Sequence, residues 1–455
     1  MALTPEQAID RARDLHATRE TERRRLDDVR RYWKGRQRMP VAISAGVPPE
    51  FAVLVRTSQT NFIDLVVESL AQSLAVVGFR GARAADNADV WNVWQANKFD
   101  ARQGALHRAV LAYGVAYAVV SPGTPVPVIR GLSPRLLTAA FDGDEADWPT
   151  YALEFRPGPA KQWRLYDTEC VYTLRGEGGT FEFVELAEHG AEVTPVVRYL
   201  EAQDPDWDNE PTDESAQAGQ VDPRQVIGQV APLMTLQDQI NLTTLELHIA
   251  QHYGAHRQRF VIGWLAPDEA TRLKVSASSF ITLEDAPDQV KIGSLDATPL
   301  DGYLKSRDAS VRQLAATSQT PAHELIGELV NLSAEALAAA EAGRDRKVAD
   351  RQTTIGESHE QTLALAGTMA GLDVPVDAQV VWRDTSARSF AATVDGLGKL
   401  AALLDVPPES LWERVPGVSQ QDVDAWKAKA ASGDALTNLA KILDRQGGED
   451  AGAAA

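Results

Sequence analysis

Residues 317–337 read TSQTPAHELIGELVNLSAEAL, and this stretch joins two predicted helices. Thr320-Pro321 ends the first helix, because proline cannot continue a helix and restricts the residue before it. Ser333 is placed to cap the next helix, with Glu335 in its first turn. The sequence therefore predicts a helix end, a loop through Asn331 and then a new helix.

The helix that begins after Ser333 is unusually long. Its pattern continues to about Gly367, which is roughly 50 Å at 1.5 Å per residue. Gly343 and Gly356 each weaken it by about 1 kcal/mol relative to alanine and are candidate positions for bends. A helix of this length in a chain of 455 residues is expected to pack on neighbours.

A helical pair precedes the stretch. Residues 232–256 and 300–318 have helical periodicity, and between them lie short strand candidates at 260–264, 280–283 and 290–292. The pattern predicts a small β insert at the far end of two helices.

An α+β block occupies the first 200 residues. Thr4-Pro5-Glu6-Gln7 reads as a helix start in which Thr4 and Gln7 cap each other, and the helix extends to about Trp33. Arginines on this helix alternate with acidic residues. This pattern favours a solvated helix surface with ion pairs between residues one turn apart, rather than an anion-binding site. Further segments are predicted as helices at 61–74 and 100–113, and as strands at 76–79, 116–120 and within 125–200.

The remaining segments are less regular. Residues 201–218 hold seven acids and no base; an EF-hand is disfavoured because Asn209 stands where the loop needs glycine and Ser215 where it needs glutamate. This acidic segment is expected to be exposed and mobile.

Helices are predicted at 388–404, 408–414, 420–430 and 435–445, followed by a disordered tail at 446–455.

Composition excludes several classes of protein. Lys+Arg 45 against Asp+Glu 64 gives a net charge of −19, which excludes gripping nucleic acid by bulk positive charge. Cys170 is the only cysteine, so the chain has no internal disulfide and fits a reducing compartment. The start lacks a signal peptide, and the longest apolar run, residues 109–120, is too short to span a bilayer.

No catalytic motif is present. Residues 396–399 lack the upstream glycine and the Ser or Thr of a phosphate-binding loop. His323-Glu324 and His359-Glu360 each lack the second histidine of a zinc motif and are interpreted as polar surface or loop pairs. His248, His252 and His256 favour a polar helix face over a metal site, and the carboxylates of 142–145 favour a solvated turn. The sequence predicts no catalytic residue, no metal and no cofactor.

The order of these elements resembles the portal protein of tailed double-stranded-DNA bacteriophages, of the type found in siphophages of actinobacterial hosts. The resemblance extends from about residue 25 to 445. The most specific similarity is in 317–321 and 331–337, with support from 92–97, 112–117, 189–190, 194–197 and, weakly, Arg351-Gln352.

The resemblance implies a portal fold with a wing, a helical stem, a small β clip and a long helix towards the crown. The wing would comprise 1–219, with C-terminal wing or crown helices at 373–445. The stem would comprise 220–258 and 299–319, and the clip 259–298. The tunnel loop would be 320–331 and the long helix 332–372.

The resemblance also implies a function without catalysis: a homo-oligomeric ring, usually a dodecamer, at one capsid vertex, through which double-stranded DNA is packaged and ejected. Its partners would be terminase, the major capsid or scaffolding protein and a head-completion or adaptor protein, with assembly in the host cytoplasm and no membrane. In the tunnel loop, Thr320, Pro321, His323, Glu324 and Asn331 are candidate channel residues, and Leu325 and Leu329 are candidate anchors.

Two alternatives remain open at this stage. A helical scaffold or adaptor protein would need sustained heptads along 333–367, but residues 343–346, Gly-Arg-Asp-Arg, interrupt any apolar seam. A packaging enzyme would need a phosphate-binding loop or a carboxylate metal cluster, and the sequence has neither.

Overall fold

The computed structural model confirms the α+β class. It describes residues 2–39, 49–81, 88–142, 146–202, 227–254, 259–262, 291–294, 299–327, 334–383, 390–404, 406–415, 418 and 422–430. The chain divides into two compact units: the first comprises residues 1–33, 65–232 and 329–455, and the second comprises 34–64 and 233–328.

The helices are α1 (Pro5–Trp33), α2 (Pro49–Thr57), α3 (Phe62–Gln72), α4 (Ala88–Ala96), α5 (Phe99–Tyr113), α6 (Met234–Gly254), α7 (Asp301–Ser318), α8 (Ala322–Ile326), α9 (Ala334–Met369), α10 (Phe390–Leu404), α11 (Pro408–Leu411) and α12 (422–430). Short 3₁₀ turns occupy Ala231–Leu233 and Trp412–Arg414. None of the helices in the described ranges is long and apolar enough to cross a membrane.

The strands are β1 (Val76–Arg80), β2 (Val115–Ser121), β3 (Val128–Leu132), β4 (Leu137–Ala140), β5 (Tyr151–Arg156), β6 (Gln162–Tyr166), β7 (Cys170–Glu177), β8 (Thr180–Glu188), β9 (Val196–Leu200), β10 (Arg259–Ile262), β11 (Lys291–Ser294) and β12 (Gln379–Trp382). They form four antiparallel sheets, in the orders β4-β5-β6-β7-β8, β3-β2-β9, β1-β12 and β10-β11.

Helix α1 begins with the predicted capping box. The Thr4 N–H donates to Gln7 Oε1 at 2.9 Å, and the Gln7 N–H donates to Thr4 Oγ1 at 3.3 Å. The buried positions Ala8, Ala12 and Leu15 then recur at helical spacing and pack on the five-stranded sheet.

The five-stranded sheet is covered on both faces. Leu153, Trp163 and Leu165 face α1, whereas Ala152 and Tyr166 pack with Tyr117 and Val119 of strand β2 in the three-stranded sheet. This alternation of inward residues follows from the period of two along a strand.

The long helix α9 is continuous from Ala334 to Met369, so neither candidate bend interrupts it. Gly356 is buried, and a Cβ at this position would lie 3.4 Å from atoms of Val380 and Trp382. A larger side chain would press on strand β12, which indicates that Gly356 serves close packing. Strand β12 itself pairs with β1.

The second unit contains the predicted helical pair α6 and α7 and the hairpin β10–β11. Two fully buried amides on α6 hold residues 60–62: the Phe62 N–H donates to Gln237 Oε1 at 2.9 Å, and the Thr60 N–H donates to Asn241 Oδ1 at 3.0 Å. These bonds explain why residues 34–64 belong with the helical pair, a grouping that the sequence pattern does not reveal.

Several predicted segments lie outside the described residues. They are the strand candidate at 280–283, residues 203–218 of the acidic segment, the helix at 435–445 and the tail at 446–455.

Candidate functional site

The stretch that joins α7 to α9 begins with a tightly bonded helix end. Gln319 adopts a left-handed conformation with φ of 54°, and its N–H caps the Ala316 carbonyl. The Thr320 N–H donates to the Ala315 carbonyl at 3.0 Å, and the Ser318 hydroxyl lies 3.0 Å from Thr320 Oγ1. The predicted stop at Thr320-Pro321 is therefore confirmed.

The residues that follow are not an open loop as expected. Pro321 fixes the extended entry to α8, a single helical turn in which the Glu324 N–H donates to the Pro321 carbonyl at 3.0 Å. Gly327, at φ +74°, ends the turn, and its N–H donates to the His323 carbonyl at 2.9 Å. Good helix formers between proline and glycine favour this local structure.

The structure locates five of the seven candidate tunnel-loop residues. Thr320, Pro321 and Leu325 are buried, whereas His323 and Glu324 are half-buried. Helix α8 packs on α7. Leu329 and Asn331 lie outside the described residues.

A group of contacts that the sequence analysis did not predict holds α9 in the first unit. Arg344 Nη2 donates to the Ser69 carbonyl and to Ser73 Oγ, both at 2.9 Å. About two turns further on, Arg351 Nε donates to Glu201 Oε1 at 2.5 Å, and both side chains are largely buried. Arg344 and Arg351 of α9 therefore both bond to groups of the same chain.

Glu201 is shared by two partners. Gln229 Nε2 also donates to Glu201 Oε1, at 2.5 Å, and Lys347 Nζ donates to Gln229 Oε1. Burial lowers the pKa of Lys347 to about 8, although the Glu201 carboxylate acts to raise it. Residues 201 and 229 are thus fixed side by side on α9.

A second group lies further along α9, where His359 is fully buried. This corrects the interpretation of His359-Glu360 as a polar surface or loop pair. His359 Nε2 lies 2.8 Å from Nε2 of the equally buried His107 on α5, and its Nδ1 lies 3.0 Å from the Tyr199 hydroxyl. His107 Nδ1 lies 3.1 Å from the Leu74 carbonyl oxygen.

These hydrogen-bond partners determine which ring nitrogens of His107 and His359 carry a proton. A carbonyl oxygen only accepts, so His107 Nδ1 must carry the proton, and Nε2 of the neutral ring then accepts from His359 Nε2–H. His359 Nδ1 accepts in turn from the Tyr199 hydroxyl, whose oxygen lies 2.7 Å from Thr362 Oγ1. A one-directional chain with two neutral histidines satisfies each of these ring nitrogens.

The surroundings keep both histidines neutral. Burial lowers the pKa of His107 to about 4, and burial, assisted by His107, holds the pKa of His359 well below its usual value. The rings of Trp94, Phe99 and Trp382 surround His359, with centroids 5.3, 6.3 and 5.9 Å away. The arrangement is a structural joint between α9, α5 and strand β9.

No catalytic or metal centre emerges from the part of the chain that the structure describes. Within it, no three His, Cys, Asp or Glu side chains are grouped to hold a metal ion. Cys170 is buried in the core beneath α1. The organised polar groups in these ranges instead fix one element of the fold to another.

Comparison with known proteins decides the family. The model of the family described as "Phage portal protein, SPP1 Gp6-like" matches residues 13–434. The chain belongs to this family. Portal proteins of this family are structural, non-catalytic components of the virion, and the predicted resemblance to portals of phages with actinobacterial hosts is confirmed.

Individual portal proteins show the same similarity. The chain is 27% identical over 394 residues to the portal protein of Mycobacterium phage D29, covering 80% of this chain and 76% of that protein. It is 26% identical over 392 residues to the portal protein of Mycobacterium phage L5, with the same coverage.

Solved structures of gene transfer agent particles are similar at lower identity. A chain from the virion of the native particle matches with a TM-score of 0.46 and 15% identity, covering 80% of this portal protein and 97% of that chain. A chain from the neck of the native particle, computed with C12 symmetry, matches with a TM-score of 0.48 and 15% identity, covering 81% and 92%.

Proposed function

We propose that this portal protein assembles with copies of itself into a closed ring, usually of twelve subunits, whose central channel passes double-stranded DNA at one capsid vertex. The family match over residues 13–434 carries the proposal. A ring of this kind grows by heterologous contacts, in which one surface of a subunit meets a different surface of the next.

The assignment of parts follows from the order of elements. Residues 1–219 and 373–445 would form mainly the wing, 220–258 and 299–319 the stem, 259–298 the clip, 320–331 the tunnel loop and 332–372 the long helix towards the crown. The pairing of α6 with α7 and of β10 with β11 supports the stem and clip assignments. The bonded turn at 318–321 supports a defined path for the tunnel loop.

The charge of the subunit suits a channel. A channel that passes DNA must not bind it tightly, and each DNA phosphate that a lysine or arginine neutralises adds to the affinity for DNA. The net charge of −19 per subunit opposes such binding. On α9, Arg344 is engaged by Ser69 and Ser73, and Arg351 is engaged by Glu201.

The partners of the ring would be terminase during packaging, the major capsid or scaffolding protein at the vertex, and a head-completion or adaptor protein afterwards. Assembly would take place in the bacterial cytoplasm. The protein would have no ATPase or nuclease activity of its own. In an assay with Mg²⁺, ATP and linear DNA, the rates of ATP hydrolysis and DNA cleavage should equal those measured without the protein. Activity that co-purifies with the protein through successive columns would refute this part.

Negative-stain electron microscopy and native mass spectrometry of the purified protein test the ring. We expect closed rings with a central hole, of twelve subunits or of a nearby number when the protein is made alone. A stable monomer at micromolar concentration in mild salt would contradict the proposal.

A further inference from the structure

A cavity of about 760 Å³ lies in the first unit, lined by residues of α1 and of the five-stranded sheet. Leu136, Phe155 and Pro157 form an apolar part of its wall; the first two are half-buried and Pro157 is exposed. Volumes of about 300–1,000 Å³ are typical of ligand sites in proteins. The cavity is therefore large enough to hold a few side chains of a partner.

The charged part of the wall has more positive than negative groups. Glu20 accepts from Arg19 Nη1 at 3.1 Å and from Arg23 Nη1 at 3.0 Å. Asp27 Oδ1 accepts from Arg135 Nη2 at 2.7 Å, and Asp27 Oδ2 lies 3.9 Å from Arg23 Nε. Three arginines thus share two carboxylates. This group has one positive charge in excess, although the whole chain has a net charge of −19.

The arginine at the centre of this group is held in place by its surroundings. The guanidinium carbon of Arg19 lies 5.4 Å from the centroid of the Trp163 ring, and Arg19 Nη2 donates to the Arg135 carbonyl at 2.9 Å. Burial lowers the pKa of Arg19, and the positive charges of Arg23 and Arg135 lower it as well, although Glu20 acts to raise it. The lowered pKa is consistent with positive charge that the two carboxylates do not fully compensate.

The same group has donors that an anion can use. Within the described residues, neither Arg23 Nη2 nor Arg135 Nη1 has a hydrogen-bond acceptor. Carboxylates and phosphates both match the planar donors of a guanidinium. The apolar wall beside these donors favours a peptide, because a peptide side chain can enter the cavity, whereas a DNA duplex can contact only its rim.

We propose that this cavity binds an acidic peptide segment of a partner protein. A glutamate or aspartate of the peptide bonds to Arg23 and Arg135, and a neighbouring leucine or phenylalanine packs on Phe155 and Pro157. The cavity lies within one unit of a single subunit, so binding requires neither a ring nor DNA. Failure of its test would leave the proposed function unaffected.

Fluorescence polarisation with short peptides tests the proposal on the full-length protein. The probes are fluorescein-labelled dodecapeptides in which glutamates stand one to four residues from a phenylalanine, and each has a version with glutamine in place of glutamate. We expect at least one glutamate peptide to bind and its glutamine version to bind at least about tenfold more weakly. Added salt should weaken the binding as well.

A charge variant tests whether the peptide binds at the cavity. Arg23→Gln with Arg135→Gln removes two of the three positive charges and should weaken binding at least about tenfold. The matched control is Arg13→Gln with Arg31→Gln, at exposed positions of α1 outside the cavity wall where each arginine pairs with an aspartate of the helix. The control should change the affinity by less than about twofold, and circular dichroism checks that both variants are folded.

Photo-cross-linking provides a second measurement that needs no variant. The peptide that binds is made with a benzophenone side chain in place of its phenylalanine and is irradiated with the natural protein. Mass spectrometry should locate the adduct near Leu136, Phe155 or Pro157, because these residues form the apolar wall.

Several outcomes would overturn the proposal. They are a lack of binding by every glutamate peptide, equal binding by the glutamine versions, equal affinities of the charge variant and the control, and cross-links confined to other parts of the chain. A short DNA duplex that displaces the peptide, and that the charge variant binds less tightly, would show that the cavity rim binds nucleic acid instead.

Discussion

The Nε2 atoms of His107 and His359 lie 2.8 Å apart, although the two residues are separated by 252 positions in the sequence. Both side chains are fully buried, and their outer nitrogens bond to the Leu74 carbonyl and the Tyr199 hydroxyl. In this portal protein, the histidine pair fixes the long helix α9 to the α+β block. A buried polar chain of this kind stabilises the fold only when every member is satisfied.

Replacing His359 by leucine should therefore be costly. The change removes the partner of His107 Nε2 and of the Tyr199 hydroxyl, and leaves both buried. We expect a loss of about 2–4 kcal/mol in the free energy of unfolding, measured by urea titration of tryptophan fluorescence, to which Trp94 and Trp382 beside the site contribute. Thr353→Ala, at an exposed position of the same helix, should stay within about 0.5 kcal/mol. Equal losses from the two variants would contradict the role of the chain.

Acid should weaken the same joint. The pKa of His107 in the folded protein is about 4, below the unfolded value of 6.5, and that of His359 is also lowered. Below pH 6.5 the unfolded chain binds more protons, so stability contributed by the neutral pair is full above pH 6.5 and is lost towards pH 4. In that window, the unfolding free energy falls by up to about 1.4 kcal/mol per histidine for each unit by which the pH is lowered.

The double variant His107→Asn with His359→Gln provides the comparison, because amides hydrogen-bond without titrating in this range. Urea titrations at several pH values from 7 to 4.5 give the free energy of unfolding as a function of pH. This free energy should fall less steeply with decreasing pH in the variant than in the natural protein. Parallel slopes would assign the acid sensitivity to carboxylates elsewhere.

Much of the fold was predictable from local patterns. The capping pair Thr4 and Gln7, the helix stop at Thr320-Pro321 and the length of α9 follow from propensity, proline geometry and periodicity, and the structure confirms all three. The turn of helix in α8 was missed because five residues are too few to show a period. Helix α2 was missed as well, since nine residues give little more.

The polar groups around α9 were not predictable. His359 lies among charged and polar residues, which favours a surface position on the helix. Nothing in the local sequence indicates that His107 and Tyr199 contact it from other parts of the chain. Glu201 likewise reads as the first member of an acidic segment, yet it is nearly fully buried against Arg351. Long-range pairing of this kind depends on topology, which periodicity does not encode.

Removing the Glu201 carboxylate should loosen α9 further. Glu201→Ala would leave the buried Arg351 without its carboxylate and Gln229 without an acceptor, and would lower the pKa of Lys347 below about 8 because Glu201 raises it. Breaking a buried pair by removing one partner costs about 3–5 kcal/mol of unfolding free energy. Asp395→Ala breaks the exposed pair with Lys399 and should cost less than about 1 kcal/mol. Similar costs for both pairs would disprove burial as the cause.

Two glycines should respond in opposite directions to alanine. A Cβ at Gly343 meets nothing within 4 Å on a helix interior, so Gly343→Ala should stabilise by up to about 1 kcal/mol. A Cβ at Gly228 would lie 2.4 Å from the Gly114 backbone nitrogen, and backbone cannot yield as a side chain can. Gly228→Ala should therefore destabilise clearly. Thermal midpoints of both variants check this, and a shared sign would contradict the packing of residue 228 on the end of α5.

Variants of the proposed tunnel loop should separate assembly from DNA handling. Leu325 is 7% exposed in α8, so Leu325→Asp buries a charge without a partner and should disturb folding or ring formation, and we expect the same of Leu329→Asp. His323 and Glu324 are only half-buried, and His323→Ala with Glu324→Ala should leave rings intact while altering DNA packaging or retention. The matched control is Glu182→Ala with Glu185→Ala, exposed carboxylates on strand β8, which should change neither. Ring formation is scored by negative-stain microscopy and packaged DNA by nuclease protection in virions carrying each variant. If the 323/324 variant forms rings and protects as much DNA as the control, these side chains have no role in the channel.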